Sequence, residues 1–320
     1  MAERSRHISG TVVGHSDRVD QSPFARQVTD GVFGYVQPDG SWWINNCGFV
    51  AAGDHTVVID TCSTERRTRA LLATAESTAG APVTTVVNTH HHGDHTNGNY
   101  LAAGATIVGH RKTREVMVAT GINTYENSFT GNDWGHLELR PPEVLFDDRL
   151  TVHAGDVRLE LIHPGHAAHT TNDVLVWLPE RRVLFAGDLI FNGGSPFALM
   201  GSPAGWRKAL ELVRSLEPET IVPGHGPVCG PETIDVVDGY LAFLQKLASH
   251  GKAAGLTPLQ AAREADLGPY ETLSEQERLP ANLHRAYAEL DGLAWGGAID
   301  LGAALADMVT FNGAPIRCFS

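Results

Sequence analysis

The chain has 320 residues, 42% of them hydrophobic and 19% charged, with 24 Lys and Arg against 37 Asp and Glu and a formal net charge of −13. That composition excludes a disordered chain, and a protein of this length buries about 75% of the surface its unfolded form exposes, so it folds without staples. The acidic balance repels phosphate backbones, and no nucleic-acid partner is expected. No apolar run reaches the ~18 residues of a membrane span, so no membrane partner is expected either. Met1 to Gln21 is polar and lacks the apolar core of a secretory signal, which points to a cytoplasmic protein.

In chain order, residues 1–25 read as a mobile arm. Strand signals follow at Gly31–Val36, Gly48–Ala52 and Thr56–Ile59, separated by Gly-Asp breaks. Ser63 to Thr78 reads as a helix, with Ser63 as N-cap and Glu65 in the first turn. Pro82–Asn88 is a buried-type strand ending in a histidine cluster. Thr106–Val108 is a further strand, and Arg111–Ala119 a helix. From Glu143 to Leu161 the pattern predicts hairpins, with turns at Asp147-Asp148 and Gly155-Asp156. Val174–Leu178 and Arg182–Phe185 form another hairpin around Pro179-Glu180. Ala204–Leu216 is an amphipathic helix, Ile221-Val222 a short strand, and Glu232–Ala248 a long helix. After Gly251 come helical patterns without strands, at Pro258–Ala265, Asn282–Leu290 and Leu301–Val309. Strands alternating with helices predict layered sheets covered by helices over 26–250, with a helical extension over 251–320.

The four cysteines, Cys47, Cys62, Cys229 and Cys318, are scattered, with no C-x-x-C pair, which argues against a disulfide framework or a thiolate zinc site. Histidine is the outlier, with 16 residues. Three imidazoles and a carboxylate that matter most lie in Thr89-His90-His91-His92-Gly93-Asp94-His95, directly after an apolar strand. His90 and His92 can face one way while Asp94 and His95 leave on another side, so one short loop can serve two metal ions. His169 before a strand, Asp188 after Ala186-Gly187, and His225 in Val222-Pro223-Gly224-His225-Gly226 add ligand types at strand ends. Taken singly, each of these three also reads as an ordinary turn or surface residue.

Taken together, His90-x-His92-x-Asp94-His95 followed by His169, Asp188 and His225 resembles the metallo-β-lactamase superfamily over roughly residues 28–245. The resemblance implies an α/β fold, the αββα sandwich of two face-to-face mixed sheets with metals at one edge. It implies that His90, His92 and His169 hold a first metal, that Asp94, His95 and His225 hold a second, and that Asp188 bridges them. Asp94 and Asp188 are then the candidate catalytic residues, and two Zn2+ the implied cofactor, with Fe or Mn as alternatives. His91 fills the variable slot and is expected to face away. His166 remains an alternative to His169. Asp60, in Val57-Val58-Ile59-Asp60-Thr61, is either a support for the ligands or a helix-entry turn residue.

Within the superfamily, β-lactam-opening branches usually carry Cys at the position of Asp188, or no bridging ligand. Asp188 instead resembles the glyoxalase II-like hydrolases of thioesters and esters. The resemblance therefore implies a dinuclear hydrolase whose metals activate a water and polarise a carbonyl. Tyr35 to Asn46 is also similar to actinobacterial relatives, some of which are polyketide cyclases or thioesterases. Trp42, Trp43, Tyr125, Phe129, Trp134, Phe191, Phe197 and Met200 either fill the core or line an apolar cleft for a small-molecule or carrier-bound acyl substrate. An iron-dependent persulfide dioxygenase and a lactonase or β-lactamase-type hydrolase are the alternative readings.

Overall fold

Apolar residues on both parities along several strands mean that those strands are covered on both faces. The computed structural model describes residues 22–320; of the expected N-terminal arm, residues 1–21 lie outside the described residues. The first sheet begins with β1 (Phe24–Thr29), a strand the periodicity does not announce, paired to β2 (Val32–Val36). It continues through β3 (Cys47–Ala51), β4 (Thr56–Ile59), β5 (Val83–Val87) and β6 (Thr106–His110). A two-residue strand, β7 (Phe129–Thr130), stands apart, and β8 (Val144–Phe146) closes this sheet in the order β1-β2-β3-β4-β5-β6-β8. The pairing is antiparallel as far as β4 and parallel beyond it. The second sheet comprises β9 (Arg149–Ala154), β10 (Val157–Ile162), β11 (Leu175–Leu178), β12 (Val183–Phe191) and β13 (Thr220–His225), with β13 parallel to β12 at one edge.

Between the sheets lie Val57 and Ile59 of β4, Leu159 and Leu161 of β10, and Val176 and Phe185 of β11 and β12. Val58, one residue out of phase, joins the outer face, where α1 (Glu65–Ala79) buries Leu71 and Ala75. On the far side, Trp177 and Leu184 pack under Trp206 and Leu210 of α4 (Pro203–Ser215) and Leu241 of α5 (Glu232–Ala253). Helix, sheet, sheet, helix is therefore the order of layers. The shorter helices α2 (Gly93–Thr96) and α3 (Arg111–Thr120) follow β5 and β6. The extension adds α6 (Pro258–Glu264), α7 (Arg278–Leu290) and α8 (Leu301–Asn312), which pack on α5 and on one another around Leu244, Leu279 and Leu283.

Three local expectations change. The helix cap is Thr64, whose side chain accepts from the Arg67 N–H, while the Ser63 hydroxyl donates to the Trp43 carbonyl at 2.7 Å. Asp147-Asp148 is not a hairpin turn: β8 belongs to the first sheet and β9 to the second, so the chain crosses the sandwich there. Turn chemistry marks a change of direction but not the partner on the far side. Finally, the C-terminal region does contain a strand. β14 (Ile316–Arg317) pairs parallel with β7, tying the chain end beside Phe129.

Candidate metal centre

The strands of both sheets end at one rim, and each ending delivers a ligand type. β5 runs into His90 and His92; the loop after β10 carries His169; β12 carries Asp188 and β13 ends on His225. Gly187 takes φ of 50° and has no room for a Cβ, which would sit 2.8 Å from Thr89 Cβ. This kink interrupts the β12–β13 register and turns the next residue, Asp188, into the rim.

One atom from each of His90, His92, His169 and Asp188, and one from each of Asp94, His95 and His225, form two groups, with atoms inside each group within 4.8 Å of one another. Asp188 lies between the groups. Its Oδ1 is 3.1 Å from His95 Nε2, and its Oδ2 is 3.4 Å from both His169 Nε2 and His225 Nε2. Asp94 Oδ2 is 3.2 Å from His225 Nε2 and 3.6 Å from His95 Nε2. His91 and His166 belong to neither group. His91 shares hydrogen bonds with the Asn172 amide, and His166 Nδ1 lies 3.2 Å from the Ala167 carbonyl.

The outer ring nitrogens are tied down. His169 Nδ1 lies 2.7 Å from the Phe197 carbonyl and His225 Nδ1 3.0 Å from the Gly40 carbonyl, so each donates its proton outward and leaves Nε2 free for the centre. Asp60 does the same for His95, at 2.8 Å from Nδ1, and also accepts from the Thr89 N–H at 2.7 Å and the Thr89 hydroxyl at 2.6 Å. Its backbone is in the left-handed region, φ 60°, a strain that aims one carboxylate at three donors. His92 faces inward through Nδ1, 3.0 Å from His169 Nε2, while its Nε2 meets the Met200 sulfur at 3.3 Å.

Burial pulls His95 down, but Asp188, Asp94 and Asp60 outweigh it and hold the imidazole well above its usual range. Burial likewise pushes Asp188 up, and His225, His95 and His169 together bring it far down instead. His90 and His92 are driven well below the usual range, first by burial and then by the imidazoles beside them, His95 for His90 and His91 and His169 for His92. The donor set fits a metal pair: His90 Nε2 is a buried ring nitrogen without a hydrogen-bond partner, and His95 Nε2 and Asp188 Oδ1, though 3.1 Å apart, form no well-aligned hydrogen bond, a costly state that bound cations would relieve. With only nitrogen and oxygen donors, the set suits two transition-metal ions.

A cavity of about 320 Å³ opens on this rim. Its walls include Trp42, Trp43, Tyr125, Phe129, Phe197 and Met200 near Asp94, Asp188 and His225. Several of these aromatic residues are core and wall at once: Trp43, Phe129 and Phe197 are buried and pack with Met308 of α8. Among the wall residues that the sequence reading does not single out are Arg278 and Arg285 on α7. Their signal was present as polar residues on the buried stripe 278, 282, 285 of an amphipathic helix. Pro280 masked the start of that helix, although proline is tolerated in a first turn.

The curated relatives include a metallo-beta-lactamase type 2 from Bacteroides fragilis, 27% identical over 233 residues that span 69% of this chain and 87% of that protein. A hydroxyacylglutathione hydrolase from Rhodospirillum rubrum is 32% identical over 162 residues, which span 51% of this chain and 53% of that protein. Among solved structures, the metallo-beta-lactamase from Pontibacter korlensis superposes with a TM-score of 0.58 at 22% identity, covering 69% of this chain and 99% of that one. The family model for the metallo-beta-lactamase superfamily matches residues 40–225, a segment that contains every one of the seven clustered donors. The chain belongs to the metallo-β-lactamase superfamily, as a metal-dependent hydrolase with two adjoining ligand clusters at the rim of its sandwich.

Proposed function

We propose that this chain acts on a thioester or ester carbonyl of a bulky apolar acyl group, by hydrolysis or, where the acyl group is a carrier-bound aromatic polyketide, by cyclising release. In this reading His90, His92 and His169 hold one zinc ion, Asp94, His95 and His225 hold the other, and Asp188 bridges the two. When bound, such a pair polarises a carbonyl oxygen and brings the pKa of a water towards 7. The Asp188 carboxylate sets the spacing of the two ligand groups. Asp94 borders the cavity, where it would orient the attacking water, take up the proton that the water loses as it adds to the carbonyl, and return that proton to the leaving thiolate or alkoxide.

The observation that carries the reading is one cavity with two chemistries: its lining combines carboxylates and imidazoles with Trp42, Tyr125, Phe129, Phe197, Leu301 and Leu305. Such a wall favours an aromatic or long acyl group over a small polar one. Asp188 in place of Cys supports the thioester branch over the β-lactam branch, and two ligand clusters support a metal pair over a single iron. The test is elemental analysis after metal-replete expression, then a panel of aryl and acyl thioesters, lactones and cephalosporins, and glutathione persulfide with oxygen uptake. About two equivalents of metal and the highest kcat/KM on a thioester or ester are expected. Cephalosporin turnover equal to the best thioester, or persulfide oxidation with one iron, overturns the reading.

A further inference from the structure

α7 presents Arg278 and Arg285 to the same cavity, seven residues and about two helical turns apart. Both are buried, at 1% and 2% exposure, yet their charges are met differently. Arg278 pairs with the Glu275 carboxylate at 2.8 Å, and its guanidinium lies over the Trp42 ring at 4.2 Å and the Phe191 ring at 5.1 Å. That cation is already answered and works as a prop for Trp42. Arg285 donates from Nε to the Leu199 carbonyl at 2.9 Å and from Nη1 to the Gly297 carbonyl at 2.8 Å. It makes no ion pair among the described residues. The carboxylate that acts on it through space is Glu289, one turn further along α7, which comes to no ion-pair distance of Arg285 and whose Oε1 is buried without a hydrogen-bond partner.

A guanidinium carries five N–H donors and cannot shed its charge, so burying one against carbonyl oxygens alone is costly. The same cavity is lined by the apolar residues Leu199, Ile299, Leu301 and Leu305. A buried cation with no carboxylate at ion-pair distance, in a mostly apolar wall, selects a ligand that is apolar along its length and anionic at its end. We propose that Arg285 binds a carboxylate at the distal end of the acyl group, so the substrate is an aromatic or long-chain acyl thioester or ester carrying a free acid. The proposal rests on the hydrolase reading above for the reacting end, and on Arg285 alone for the other.

The test compares S-(6-carboxy-2-naphthoyl)-N-acetylcysteamine with its 6-carbamoyl counterpart, which has the same shape without the charge. The acid is expected to win by about 10- to 100-fold in kcat/KM, chiefly through KM, the range of a hydrogen bond to a charged group. The preference should vanish in Arg285→Met and shrink in Arg285→Lys, which keeps the charge but loses the planar fork. A second readout needs no turnover: calorimetric binding of 2,6-naphthalenedicarboxylate against 6-carbamoyl-2-naphthoate, two ligands that differ only at the distal group. Equal affinities in the wild-type protein overturn the proposal whether or not the methionine variant folds. So does a preference that survives in Arg285→Met, or an equal loss on both ligands, which marks Arg285 as a clamp for Leu199 and Gly297 only. If neither thioester reacts but the dicarboxylate preference depends on Arg285, the hydrolase reading fails and the carboxylate site stands. If both thioesters react equally well, the reverse holds.

Discussion

At the scale of single residues, the rim separates side chains that are close in sequence and alike in type. Asp188 touches imidazoles of both ligand groups, whereas His91 turns to Asn172. Asp188→Ala is therefore expected to lower bound metal by about one equivalent and cut kcat by at least ~10³-fold, whereas His91→Ala keeps two equivalents and loses about 1 kcal/mol of stability with its hydrogen bonds. Similar metal titrations for the two variants would refute the assignment. Gly224 offers a subtler probe, because a Cβ there would sit 1.9 Å from Asp188 Oδ1. Gly224→Ala should displace that carboxylate, with metal loss larger than any change in the circular dichroism of the fold. Full metal content in Gly224→Ala would show that the carboxylate position is not critical.

Among elements, α7 links the extension to the site, since it carries part of the cavity wall from outside the sandwich. Glu275, just ahead of it, accepts from the Trp42 N–H at 2.5 Å, and Glu277 accepts from the Trp42 indole at 2.7 Å. The Glu275–Arg278 pair is 3% and 2% exposed, so removing one partner leaves a bare buried charge. Arg278→Met should cost about 3–5 kcal/mol, and adding Glu275→Gln should restore part of that loss. Urea unfolding of the single and double variants measures it; a double variant less stable than the single one by a further ~3 kcal/mol would mean the pair is not the source. Much of this was hidden from the sequence. His90 to His95 are legible because one loop carries them, but Arg278 and Arg285 stand apart in the chain from every ligand type, and only packing brings them to the cavity.

For the whole molecule, the clustered donors come from both sheets, so metal bound there would tie the two halves of the sandwich together. Asp60, after β4, braces His95, while Asp188 and His225 belong to the other sheet. Ligands that bind only the folded state stabilise it by mass action, about 4 kcal/mol at a thousand times Kd. Chelation is therefore expected to lower Tm on the order of 5 °C or more, reversed by adding zinc. An unchanged Tm after verified metal removal would rule out the bridging arrangement. No helix among the described residues is long and apolar enough to cross a membrane.

By itself the sequence determined the layered α/β plan, the position of the histidine loop after a buried strand, and the order of ligand types along the chain. These are local properties, written in the period of apolar residues and in the chemistry of neighbours. Tertiary structure alone decided that β8 and β9 part company at Asp147-Asp148, and that His169 rather than His166 joins the cluster. It also decided that β14 returns to β7, and that Arg285 is buried beside the cavity without a carboxylate partner. Each of these depends on which surfaces meet across a large sequence separation, and neither periodicity nor turn chemistry carries that information.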